Sequence, residues 1–406
     1  MSESRNINFQ QLIHLTNQFF SKFDLLSSHP KEYIDPLFSS KALFKHFLRT
    51  LNSIVQFPEI DINSYVKVME YIAPEIKKQF TPEEIFPKVF NRRFAVLCLI
   101  KFDVLAMSFV LDQVTPVLVQ YFETNTDFIA DNPDEIALII RKDNVDEFKT
   151  KIEKSEINSQ INYSIFERCQ FVNDATYLEY ASFFNSNKIV NYLIENGAEK
   201  TEKFHICQMI HNFKNNKQKN EEKKNLTQHE REILIEYHRL DVNDFDAVPE
   251  DNEKKNLYRF LLKCATENCL EFLPQYFPLL SDQKTSIKPA LNAICEAGRD
   301  DLIKIILSDT EMASQIDWNG KIVKTNQSIF ESAIKSNQVE VVQSLFDVKG
   351  IDIRGIYYHE ESVLHLAAKY DTTVIGHFLL STKKINVNCK DSVFDYLIYY
   401  VYIIIL

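Results

Sequence analysis

The chain has 406 residues, a formal net charge of −11, 45% hydrophobic and 25% charged residues. This composition excludes a disordered polymer and leaves room for two or three domains or one elongated array. Acidic and basic residues are interspersed, which excludes the basic face that nucleic-acid binding requires.

The start, "MSESRNINFQQLIHLTNQFF", has no basic opening followed by an apolar core, so no signal peptide is read there. Residues 1–125 read as a helical domain, with helices over 7–26, 41–56, 62–72 and 92–112. Breaks are expected near Pro30, Pro58, Pro74, Pro82 and Pro116. The most apolar internal run, 94–111, carries Lys101 and Asp103 at its middle. Each charge there would cost roughly 2.5–3.5 kcal/mol in a bilayer, so no membrane span is expected.

From residue 136 onward one pattern recurs without gaps. "IALIIRKDNVDEFKTKI" from 136, "LEYASFFNSNKIVNYLI" from 178, "LLKCATENCLEFLPQYF" from 261, "LNAICEAGRDDLIKIIL" from 291, "FESAIKSNQVEVVQSLF" from 330 and "LHLAAKYDTTVIGHFLL" from 364 share a register. The last three are spaced by 39 and 34 residues, near the ~33-residue ankyrin period. In each, an apolar residue followed three and four positions later by small or apolar ones makes one helical stripe, as in Leu364, Ala367 and Ala368. After a polar turn a second stripe follows, as in Val339, Val342 and Leu345. Thr176 with Glu179, Ser328 with Glu331 and Ser362 with His365 are placed as capping boxes.

Glycine is scarce: six in all, none before Gly197. Gly197 and Gly350 stand where helices stop, Gly298 where two helices join tightly, and Gly376 inside a helix. Asp174 and Asn326 occupy turn positions that glycine would otherwise take. Between 199 and 256 the rhythm breaks. "KFHICQMIHNF" and "HEREILIEYHRL" read as a helix pair around a polar, solvated insert near 214–228.

"SVLHLAA" resembles the ankyrin signature T-P-L-H-x-A-A, with Ser362 for Thr and Val363 for Pro, and "IENGAEK" and "INVNCKD" resemble the repeat ending. The whole chain is similar to a large ankyrin family of trichomonad protists whose N-terminal part is a helical domain of unknown function. The motifs cover roughly 130–391, so the expected organisation is an N-terminal domain over 1–125, degenerate ankyrin-like repeats over 126–391, and an apolar tail over 392–406. That tail, "SVFDYLIYYVYIIIL", reads as a truncated repeat or mispredicted gene end.

Chemical motifs fail on inspection. Gly350 and Gly355 have the spacing of a phosphate loop, but Ile356 replaces its lysine; "HERE" is followed by Ile233 where a second zinc histidine belongs. Cys207 and His211 lie one helical turn apart, with His205 on another side and no further ligands evident, so a core or surface role is read. Cys264 reads as a buried thiol. Seven cysteines, an odd number without regular spacing, fit a reducing cytosolic or nuclear compartment.

The expected fold is thus an all-α, ankyrin-type solenoid behind an N-terminal helical domain. It is read as a monomeric, non-enzymatic protein-binding scaffold without cofactor, metal or nucleic acid. The resemblance implies recognition at hairpin tips and the concave face: Tyr358, His359, Glu361, Lys369 and Tyr370 in the last unit, and Lys324, Gln327 and Lys335 before it. Phe183 and Phe184 match the same face, where they would either anchor a partner or pack against the N-terminal domain. The alternatives are an adaptor whose N-terminal domain couples bound protein to other machinery, or a decaying family copy without function.

Overall fold

The structure is a computed structural model, and it describes residues 9–85, 92–106, 132–164, 166–215, 226–240, 254–273, 287–319, 328–348, 351 and 362–386. The described residues are predominantly helical, with one isolated antiparallel bridge between Gln160 and Thr176 and no strand. They fall into two compact units, one of 16–246 and one combining 1–15 with 247–406. The domain boundary expected at 125/126, the turn residues Asn326 and Gly350, most of the polar insert and the apolar tail lie outside the described residues.

In the 16–246 unit, helices α1 (Phe9–Ser21, whose second half belongs here), α2 (Phe23–Ser28), α3 (Pro30–Tyr33), α4 (Lys41–Ile54), α5 (Ile62–Gln79), α6 (Pro82–Ile85) and α7 (Arg93–Lys101) come first. Helix α4 is buried around its whole circumference from Phe44 to Ile54, including His46, whose ring Nε2 lies 2.9 Å from Thr16 Oγ1. The expected stop at Pro74 is not found, because α5 runs through it to Gln79. Pro74 and Glu70, whose carbonyl loses its partner, are exposed, while Tyr65, Val68, Met69, Ile72 and Ile76 form a buried stripe opposite. The carbonyl faces solvent rather than the core, and that stripe outweighs a proline cost of about 3 kcal/mol.

Next come α8 (Glu135–Arg141), α9 (Val145–Lys151), α10 (Tyr177–Phe183), α11 (Asn187–Glu195), α12 (Glu202–Asn215) and α13 (Gln228–Glu236). Helices α8, α10, α12 and α13 pack in series, and α9 packs on α11. The other unit holds α14 (Lys254–Thr266), α15 (Ile287–Glu296), α16 (Asp300–Ser308), α17 (Thr310–Gln315), α18 (Ile329–Lys335), α19 (Val339–Phe346), α20 (Val363–Lys369) and α21 (Thr373–Ser381). There α14, α15, α18 and α20 form one row of stacked helices and α16, α19 and α21 a second.

One turn ends the first helix of every recurring unit. Two residues past the helix the backbone is left-handed, at Asp143, Asn185, Asn268, Gly298, Asn337 and Asp371. The following N–H reaches back five residues: Ser186 to Ala181 at 2.9 Å, Arg299 to Ile294 at 3.0 Å, Gln338 to Ala333 at 3.0 Å and Thr372 to Ala367 at 2.8 Å. This is the Schellman closure, which satisfies carbonyls a helix end leaves open. All but one of the six use Asp or Asn, whose short polar side chains tolerate that region, which explains how so few glycines suffice. The same turn follows α13 at His238 and α7 at Asp103, so the unit at 231 and the end of α7 share it without a legible repeat motif.

The starts are capped as the spacing predicts. Thr176 with Glu179 and Ser362 with His365 form reciprocal boxes, and Ser328 accepts from the Glu331 N–H at 3.1 Å. Asp174 is left-handed at φ 65° and Gly197 at φ 87°, while Gly376 is buried inside α21.

Candidate interaction surface

In three of the units the residue just after the left-handed turn, eight positions from the unit's first apolar residue, ties its hairpin to the one before, whereas Thr372 Oγ1 donates to the Ala367 carbonyl of its own hairpin at 3.1 Å. Ser186 Oγ donates to the Ile140 carbonyl at 2.6 Å, Arg299 Nη1 to Ala265 at 3.0 Å, and Gln338 Nε2 to Glu296 at 3.3 Å. Each occupies a carbonyl at the C-terminal end of the preceding first helix, where bonds are otherwise missing. Ser, Arg and Gln serve one geometric role here, so residue identity hides it from sequence comparison.

Six residues into a unit, at the exposed end of the first helix, the two units of the molecule differ instructively. In the 16–246 unit, Arg141 at the end of α8 lies over the Phe184 ring of the next hairpin, 4.0 Å from its centre. Its Nη2 reaches both Glu167 oxygens at 2.8 and 2.9 Å, and its Nε donates to the Tyr180 hydroxyl at 2.8 Å. Tyr180 in turn donates to Glu167 at 2.8 Å, and the Cys169 N–H donates to the same carboxylate at 3.0 Å. Burial pushes the Tyr180 phenol well above its ordinary range, so it stays a neutral donor. Composition and motif gave no sign of this network, since Glu167 sits in a loop beside Arg168, in "SIFERCQFV", and far from Arg141 in sequence.

In the C-terminal unit the corresponding cation is Lys335 at the end of α18, with its Nζ 5.9 Å from the centre of the Tyr370 ring of the next hairpin. Lys369, at the end of α20, approaches the same ring to 5.9 Å. Both lysines are exposed and Tyr370 is half-buried. A lysine in the last turn is favourably placed against the negative helix end, worth about 0.3–1 kcal/mol, which helps hold both cations at this spot.

The structure therefore brings together three of the expected recognition residues, Lys335, Lys369 and Tyr370. Lys324, Gln327, Tyr358, His359 and Glu361 lie outside the described residues. Phe183 is fully buried, its ring 5.4 Å from that of Tyr237 and 5.0 Å from that of Phe184, so it offers no face to a partner. Its aromatic neighbours are Phe171, Phe184 and Tyr237, and Tyr237 in turn meets Phe57, in the loop after α4, at 6.0 Å. Phe184 is half-buried beneath Arg141.

His205 is exposed while Cys207 is buried, and the His211 ring nitrogen bonds the Phe183 carbonyl, so these three do not converge. Among the described residues no group of three or more His, Cys, Asp or Glu could hold a metal, and no helix is long and apolar enough to cross a membrane. No protein-family model matches the chain, and no curated protein is significantly similar to it.

Proposed function

We propose that the protein is a non-enzymatic, ankyrin-type scaffold that binds another protein on the exposed ends of its first helices. The observation that carries this reading is the recurring helical hairpin, closed by one turn type, which stacks first helices in rows and leaves Lys335, Lys369 and Tyr370 together at the solvent. A half-buried tyrosine flanked by cations is a suitable anchor, since aromatic side chains supply large contact area with few rotors. The chemically richest buried cluster, Arg141 with Glu167 and Tyr180, supports a structural use, because its groups bond one another. The six described cysteines are buried thiols, which supports a reducing compartment.

Proximity labelling with the full chain in its native cell tests this, beside a Lys335→Ala/Lys369→Ala/Tyr370→Ala variant checked for unchanged helicity. Selective loss of labelled partners from the variant is the expected result. An unchanged partner set would move recognition away from this surface.

A further inference from the structure

Resting on the scaffold reading, we infer that Glu296, held by Tyr258 where α14 meets α15, seats an arginine side chain from a basic segment of the partner protein. The argument is an internal precedent. In the 16–246 unit a tyrosine hydroxyl donates to a glutamate, Tyr180 to Glu167, and one guanidinium closes the pair: Arg141 Nη2 meets both carboxylate oxygens and its Nε donates to the phenol. In the C-terminal unit Tyr258, on α14, donates in the same way to the Glu296 carboxylate, on α15. Asn292, one helical turn before Glu296, also bonds the Tyr258 hydroxyl. Its Oδ1 has no hydrogen-bond partner, so its amide N–H is the donor, and it fixes the phenol beside Glu296.

The two pairs differ in what closes them. Glu167 is withdrawn from water and carries Arg141, with side-chain exposures of 0% and 12%. Glu296 and Tyr258 are half-buried, and among the described residues no cation pairs with the Glu296 carboxylate. Glu296 is the sixth residue of its unit, so it lies at the exposed end of a first helix, on the surface where recognition is proposed. Lys335, sixth in the next unit, approaches the Tyr370 ring instead. Arginine fits the pair because its planar fork spans a carboxylate and a neighbouring phenol at once, as Arg141 does, while a lysine brings only a point charge. Asn292 Oδ1, buried with nothing donating to it, adds an acceptor next to the phenol. The net charge of −11 draws basic segments in at long range, and the choice of arginine falls to these short-range contacts.

The test uses the full chain at physiological ionic strength and a fluorescein-labelled peptide of repeated Arg-Gly-Ser, read by anisotropy, with the citrulline and lysine versions of the same peptide beside it. Glu296→Gln, which keeps an acceptor for Tyr258, is expected to weaken binding of the arginine peptide at least about tenfold, and Tyr258→Phe several-fold, with Trp318 fluorescence unchanged as the check of folding. Glu32→Gln/Glu70→Gln, which removes two exposed carboxylates elsewhere, should leave binding unchanged. The citrulline peptide should not bind, and the lysine peptide should bind several-fold more weakly. Equal binding by the Glu296→Gln variant and the native chain, an equal loss from the Glu32/Glu70 variant, or no binding of the arginine peptide at all would overturn the inference. Equal affinity for the lysine peptide would overturn the choice of arginine. If the arginine peptide fails while proximity labelling still loses partners from the Lys335/Lys369/Tyr370 variant, the scaffold reading stands and the arginine seat falls.

Discussion

Asn337 holds a left-handed turn at φ 53° on the surface, where only its backbone conformation is at stake. Asn337→Ala is expected to lower stability by about 1–2 kcal/mol, the cost of that region for a side chain with a Cβ and no local hydrogen bond, and Asn337→Gly by only a few tenths. The protein's one tryptophan, Trp318, is buried in the same unit, so urea unfolding followed by its fluorescence reads both variants. Gly298 differs, because a Cβ there would fall 2.2 Å from Gln338 Oε1 and displace the side chain that reaches the Glu296 carbonyl. Gly298→Ala therefore loses the turn and the bond between hairpins, and should cost more than Asn337→Ala. Glu167→Gln leaves Arg141 buried against a neutral amide; breaking a buried pair this way costs roughly 3–5 kcal/mol, measurable as lost hydrogen-exchange protection in 132–200. Burial also raises the thiols of Cys98, Cys207, Cys264, Cys269 and Cys295 well above the ordinary range. Reactivity belongs to the thiolate, so these five cysteines should react with a disulfide reagent only after unfolding.

The loop of 55–61, between α4 and α5, is where the N-terminal helices join the hairpins of their unit. Buried Arg168 donates to the Val55, Phe57 and Ile60 carbonyls at 2.8, 2.9 and 3.1 Å, and Arg239 grips Glu59 at 2.6 and 2.8 Å. Gln56 Nε2 reaches the Glu236 carbonyl at 3.3 Å, and the Phe57 ring packs on Tyr237 and His238. Arg168→Met keeps the volume but strands the buried Val55 carbonyl and removes one bond each from those of Phe57 and Ile60, so the expected outcome is a loss of about 1–3 kcal/mol or more, seen as faster exchange of amides in α4 and α5. How much of this the sequence showed follows from what pattern can carry. Helical periodicity and capping boxes repeat by residue type, so the hairpins from 178, 291, 330 and 364 were legible, and more faintly those from 136 and 261, with Thr176 and Ser362 at two of their starts. The unit ending at His238 was not, because its Thr227–Glu230 box sits two residues farther from the turn than the others. The ties made by Ser186, Arg299 and Gln338 share position and not chemistry, and Glu167 finds Arg141 across 26 residues, which no spacing rule anticipates. Of the recognition residues, exposure of Lys335 and Lys369 followed from their place after the stripe, whereas burial of Phe183 depends on Tyr237, 54 positions on, which lies in the stretch where the rhythm breaks.

Because those clasps lie inside one compact unit, the N-terminal helices are not a detachable module. Deleting residues 1–125 should unfold the hairpins up to 246; a deletion product with native exchange protection in 132–200 would contradict this. On the proposed reading, recognition falls on the exposed ends of stacked first helices. Hydrogen–deuterium exchange of the full chain with and without a partner captured by proximity labelling tests it most directly. Protection concentrated in peptides covering 333–338 and 367–372 is the predicted result, and protection confined to the N-terminal helices, with those peptides unchanged, would contradict it.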